Sequence, residues 1–145
     1  MGKTEKLAKE IATLLPTYLR HVFPDMFSAV DLPPSQLIAV VTLGDTGVCR
    51  QKDLCEQMHV SAPTITGIVD RLEKSGHVKR TANKEDRRAT DILLTKKGNK
   101  TVQIFLNTIE NKWKIILGAL PSSDQENYVR IFSNITKGLA SHVKK

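Results

Sequence analysis

Arg87 and Arg88 stand side by side after Glu85 and Asp86, in the stretch NKEDRRATDILL that runs from Asn83 to Leu94. A guanidinium group is a planar fork of donors that never loses its charge, suited to phosphates and to the narrow, strongly negative minor groove of A·T-rich duplex. Asp86 is expected to hold one of these arginines in a carboxylate pair and fix its aim. The plainer alternative is a solvated turn whose charges pair locally. Upstream, Ser61, Ala62, Pro63, Thr64, Thr66 and Gly67 form a run of small and hydroxyl-bearing residues. Such side chains let a backbone come close to base edges, and a threonine can meet a thymine methyl. Arg71, Lys79, Arg80 and Lys84 lie around these two stretches and suit phosphate contacts, which orient a protein on a duplex without reading its sequence.

The charge distribution agrees. The chain of 145 residues carries a formal charge of +7, and residues 50–100 hold 12 Lys and Arg against 7 Asp and Glu, so five of the seven net charges lie in the middle third. An anionic partner, nucleic acid before others, is the expectation. Other chemistries find little support. His21, His59, His77 and His142 are scattered and form no metal-ligand pair, and no phosphate loop or nucleophile with a base is evident, so neither cofactor nor catalysis is expected. Cys49 and Cys55 lack the spacing of a zinc site and read as thiols that pack, with oxidant sensing as the other use. The charged start MGKTEKLAKE and the lack of a long apolar run point to a cytosolic protein with no membrane partner.

Apolar content of 40% suits one globular unit. Leu7, Ile11, Leu14, Tyr18 and Val22 recur at helical spacing, predicting a long amphipathic helix that Pro16 and Pro24 should kink or break. Pro34 starts a second helix with Leu37, Ile38, Val40, Val41 and Leu43, ended by a turn at GDTG (Gly44 to Gly47). A short helix follows around Gln51 to Met58. Ser61 then caps a helix with the stripe Ile65, Ile68, Val69 and Leu72, ended by Gly76. HVKRT and TDILLT read as two strands of a hairpin whose tip is Asn83 to Ala89. Thr95 caps a long helix bearing Val102, Phe105, Leu106, Ile109, Trp113 and Ile116, to about Gly118. Pro121 and Ser122 precede a last helix carrying Tyr128, Ile131, Phe132, Ile135 and Leu139, with Lys144 and Lys145 at its C-terminus. The fold class is mainly α with a small β-hairpin wing: a winged helix-turn-helix over 34–95, whose second helix presents its N-terminal half to a major groove.

QKDLCEQMHVS, TITGIVDRLEKSGHVKR, the pair Asp86 and Arg88, and LTKKG (Leu94 to Gly98), in this order and spacing, resemble the MarR family of bacterial and archaeal transcription regulators. The resemblance implies a homodimer built by helices within 5–30 and 96–143, binding a pseudo-palindromic double-stranded DNA operator. It also implies repression relieved by a small, often phenolic or anionic, effector; Tyr18, His21 and Trp113 are the candidates to line its cleft. Some positions depart from the pattern, Pro16 and Pro24 in the first helix among them. His59 occupies a turn where glycine is common, and Gly67 stands where many relatives carry a large polar side chain, which shifts reading toward the threonines and the wing. The competing functions are a winged-helix module binding an acidic protein and a redox-responsive regulator using Cys49 or Cys55.

Overall fold

The computed structural model describes residues 2–142; the expected basic C-cap at Lys144 and Lys145 lies outside the described residues. Helix α1 (Lys3–Ser28) begins where the Glu5 carboxylate accepts the Gly2 backbone N–H at 2.7 Å. It continues through Pro16 and Pro24 instead of breaking there. Both prolines are exposed, so the Ala12 and Arg20 carbonyls that lose an intrahelical donor can turn to water.

Pro34 is the first residue of α2 (Pro34–Thr46), which buries Leu37, Val40 and Leu43 but leaves Ile38 exposed. The expected turn at GDTG is shorter than the sequence suggests: Gly44 to Thr46 stay helical and only Gly47 leaves, at φ +74°. Gly44 lies in the helix because a Cβ there would come within 3.1 Å of Val102, so its absence lets α2 and a later helix approach. A strand the sequence did not reveal follows, β1 (Cys49–Arg50), too short for alternation to show. It leads straight into α3 (Gln51–Met58).

His59 closes α3 in the left-handed region at φ +54°, and Val60 donates back to the Cys55 carbonyl at 3.3 Å. The turn survives with histidine, a residue that accepts this conformation more readily than most. Ser61 caps α4 (Ala62–Lys74), accepting the Thr64 N–H at 3.3 Å, with Pro63 in the first turn. Gly76, at φ +80°, sends the chain into β2 (Val78–Ala82), which pairs antiparallel with β3 (Thr90–Leu94). β1 pairs with the other edge of β3, Cys49 opposite Ile92 and Arg50 opposite Asp91, so the sheet has three strands in the order β1-β3-β2. Thr95 then caps α5 (Lys96–Gly118), and α6 is Ser122–His142.

The core belongs to the middle of the chain. Leu37, Val40, Leu43, Leu54, Ile65, Val69, Leu72, Val78 and Ile92 are fully buried, and each such side chain contributes about 1.5–3 kcal/mol by leaving water. By contrast α1 buries only Val22, and Ile11, Leu14, Val129, Ile135 and Leu139 are all more than half exposed on α1 and α6. No helix among the described residues is long and apolar enough to cross a membrane.

Both cysteines are half-buried free thiols. The Cys55 thiol donates to the Val60 carbonyl at 2.8 Å, bracing the turn around His59. Burial pushes the Cys49 thiol up; a hydrogen bond with Thr46 opposes it in part, and the nearby Asp53 and Asp91 add smaller upward pushes. That is the reverse of the electropositive setting that activates a sensor cysteine. Cys49 is therefore expected to react with iodoacetamide at pH 7 more slowly than free cysteine; an equal or faster rate would restore the oxidant-sensing reading.

The seam between α4 and α5 is tight. Thr95 donates its backbone N–H to the His77 carbonyl at 3.0 Å, and a Cβ on Gly98 would overlap that same oxygen. Gly98→Ala is predicted to lower stability in urea unfolding by about 1–3 kcal/mol or more, since backbone on both sides must shift. Gly67→Ala should do the opposite, by up to about 1 kcal/mol, because its Cβ would meet open space in a helix interior. Equal effects of the two changes would show that the seam is slack.

Candidate nucleic-acid interface

The stripe Ile65, Ile68, Val69 and Leu72 seats α4 on the core and so decides which residues face outward. Ala62, Pro63, Thr64 and Thr66 are exposed and Gly67 is partly so. The threonine hydroxyls are already engaged. Ser61 and Thr64 share a hydrogen bond of 2.7 Å, and Thr66 donates to the Ala62 carbonyl at 2.9 Å. Thr66 also accepts the Gln51 side-chain amide at 3.0 Å, a link from the start of α3 that was not anticipated from the sequence. Gln51 sits at the first position of a short helix, where residue type alone says little.

Asn83 builds the wing tip. Its carbonyl oxygen accepts the backbone N–H groups of Glu85 and Asp86, both at 2.9 Å, while its amide donates to both Asp91 oxygens at 3.0 Å. Asp86 then accepts the Arg88 backbone N–H at 3.0 Å. This corrects the expected role of Asp86: it grips the main chain of the loop, not a guanidinium. A carboxylate two residues before an N–H meets it without leaving the turn, whereas folding a long arginine back would forfeit rotamer freedom. Among the described residues neither Arg87 nor Arg88 has an ion-pair partner, and both are exposed. An asparagine opening a charged hairpin tip was the available sign of this turn.

Arg80 is also reassigned. Its guanidinium donates to Asp70 at 2.5 Å and Glu73 at 2.9 Å, and its backbone N–H reaches Glu73 at 3.1 Å. Burial opposes its charge, but hydrogen bonds and charge from Asp70 and Glu73 outweigh that and raise its pKa. Arg80 thus ties β2 to α4 and is not a free cation for phosphate. Arg71, Lys79 and Lys84 remain exposed. Lys79 and Lys84 border a depression on the wing with Thr81 and Asn83.

A second depression gathers Arg50, Gln51, Lys52, Arg88, Ala89 and Thr90. Gln51 touches Thr66 on one side and Arg88 shares this hollow on the other, so the threonine face of α4 and the wing arginine belong to one continuous surface. Arg50 enters the site through β1, the strand that the sequence did not reveal, and Lys52 through the first turn of α3.

Of the residues considered for a small molecule, Tyr18 and Trp113 come together, ring centroids 6.4 Å apart, and Tyr128 and Phe132 complete an aromatic cluster at 5.4 and 6.3 Å from Trp113. Burial, then the neighbouring Tyr128, pushes the Tyr18 phenol up to about 12, so it stays a neutral donor at physiological pH. His21 is exposed, its ring donating to the Thr17 carbonyl of its own helix at 2.8 Å. No group of three or more metal-ligating side chains occurs among the described residues.

Comparison with known proteins follows the same geometry. Residues 32–90 match the family model described as MarR family. The uncharacterized HTH-type transcriptional regulator YfiV of Bacillus subtilis is 29% identical over 116 residues, covering 80% of this chain and 72% of that protein. The HTH-type transcriptional repressor MdtR of the same organism is 28% identical over 102 residues, covering 68% of this chain and 66% of MdtR. Among solved structures, Bordetella bronchiseptica BpsR, whose DNA binding is regulated by 6-hydroxynicotinic acid, superposes with a TM-score of 0.64 at 22% identity over 88% of this chain and 98% of that one. The helix-turn-helix and most of the wing thus lie within the segment that matches the MarR family model, and the relatives similar to this chain are HTH-type transcription regulators.

Proposed function

We propose that the chain is a homodimeric, sequence-specific DNA-binding repressor, released from its operator by a small aromatic or anionic molecule. In this reading residues 34–95 form the DNA-binding unit, and the helices within 5–30 and 96–143 form the dimer. The N-terminal half of α4 enters a major groove, Arg88 with Arg87 reaches the flanking minor groove, and Arg71, Lys79 and Lys84 meet phosphates. The observation that carries it is the continuous surface from Thr66 through Gln51 to Arg88, lined by Arg50 and Lys52. Those cations have no ion-pair partner among the described residues, as a surface kept for phosphates requires.

A second copy is the natural cover for the outer helices. Ile11, Leu14, Ile135 and Leu139 lie on long helices that bury almost nothing of their own, more apolar surface than a stable monomer leaves in water. Repression and effector release rest on similarity alone: MdtR is a repressor and BpsR responds to an aromatic acid. The Tyr18, Trp113 and Tyr128 cluster offers flat aromatic faces and a phenol donor to such a molecule.

Arg88→Ala should weaken binding to a selected operator about tenfold or more, and Lys137→Ala much less; equal losses in a titration would count against the wing assignment. Wild-type affinity should fall steeply with salt as counterions are released, whereas a flat response would favour an acidic protein as the partner. Light scattering should give twice the chain mass, with Leu14→Glu and Leu139→Glu shifting it to one copy. A wild-type monomer at micromolar concentration would end the dimer reading.

A further inference from the structure

We infer that Gln51, on the helix before the recognition helix, is a specificity-determining residue that reads adenine in the major groove, with Thr66 holding its side chain in place. The inference deepens the DNA-binding proposal and rests on it.

Gln51 donates one side-chain N–H to Thr66 at 3.0 Å, and the Thr66 O–H in turn donates to the Ala62 carbonyl at 2.9 Å. The relay fixes the plane of the carboxamide. It uses one of the amide's two N–H groups and leaves the other, together with the carbonyl oxygen, without a partner among the hydrogen bonds of the described residues. A donor and an acceptor side by side on one rigid amide match the acceptor N7 and donor N6 that adenine presents in the major groove, and no other base offers that pair. The placement fits. Thr66 lies on the exposed face of α4, and Gln51 borders the hollow lined by Arg50, Lys52 and Arg88, where phosphates would hold the duplex against it. Next to Thr66, Gly67 has no side chain and nothing within 4 Å of where a Cβ would stand. A base edge can therefore approach this part of the helix without displacing a side chain. The Thr66 hydroxyl is spent on the relay, so Thr66 itself offers only its methyl group.

The test is selection of duplexes from a random pool, followed by competition titration of single-base variants, with wild type, Gln51→Ala, Gln51→Glu and Thr66→Val. Wild type should prefer adenine at one position of each half-site by about tenfold over the other bases. Gln51→Ala should lose that preference there and keep the rest of the motif. Gln51→Glu, which offers acceptors only, should move the preference toward cytosine, whose N4 amine donates. Thr66→Val, which removes the relay but leaves Gln51, should blunt the preference several-fold and serves if either Gln51 variant folds poorly. A motif that is unchanged position by position in Gln51→Ala, or an affinity loss spread evenly over all sequences, would overturn the inference while leaving DNA binding intact. A wild-type protein that enriches no motif would overturn both.

Discussion

The clamp of Arg80 on Asp70 and Glu73 decides how the two halves of the candidate interface stand to one another. Helix α4 is held by its buried stripe and the sheet by Val78 and Ile92, but neither of these fixes the angle between them. A forked cation on β2 that reaches two carboxylates one helical turn apart on α4 does fix it, because both donors must be in register at once. The carboxylates are about half exposed, so the pair is screened and adds little to overall stability. Its value is geometric. An asparagine at the hairpin tip and an aspartate in the loop extend the same rigidity to the residues around Arg87 and Arg88.

The elements with strong local signals were legible in the chain. The α4 stripe, the Ser61 cap, the glycine stop at Gly76 and the two longer strands all lie where periodicity and turn chemistry put them. What escaped depended on partners distant in sequence. Two residues cannot display an alternating pattern, so β1 exists only through its pairing with Ile92 and Asp91. Arg80 looked like a phosphate ligand because composition counts a charge without saying what faces it, and its carboxylates come from another element. The Gln51 link to Thr66 spans a whole helix-turn-helix and has no local mark. The prolines do not break α1, since an exposed helix can hydrate the carbonyls that a buried one would leave unsatisfied.

The architecture separates two kinds of apolar surface. Residues 34–105 close a core on themselves, and the long helices at either end turn most of their apolar side chains outward. The Tyr18, Trp113 and Tyr128 cluster and the Lys112–Asp25 pair join α1, α5 and α6 within one chain, a scaffold on which an outer apolar face can be shared with another copy. Helix α5 joins this scaffold to the winged unit, where its cap Thr95 is bonded to the His77 carbonyl.

Position 67 is where this scaffold remains uncommitted. Gly67 gives up helix stability, yet nothing in the molecule would collide with a larger residue there. Such a site behaves as an empty socket on a rigid frame: a new side chain can be fitted without rebuilding anything beneath it. A change at this one slot alters what the outer face of α4 presents and leaves the rest of the framework as it is.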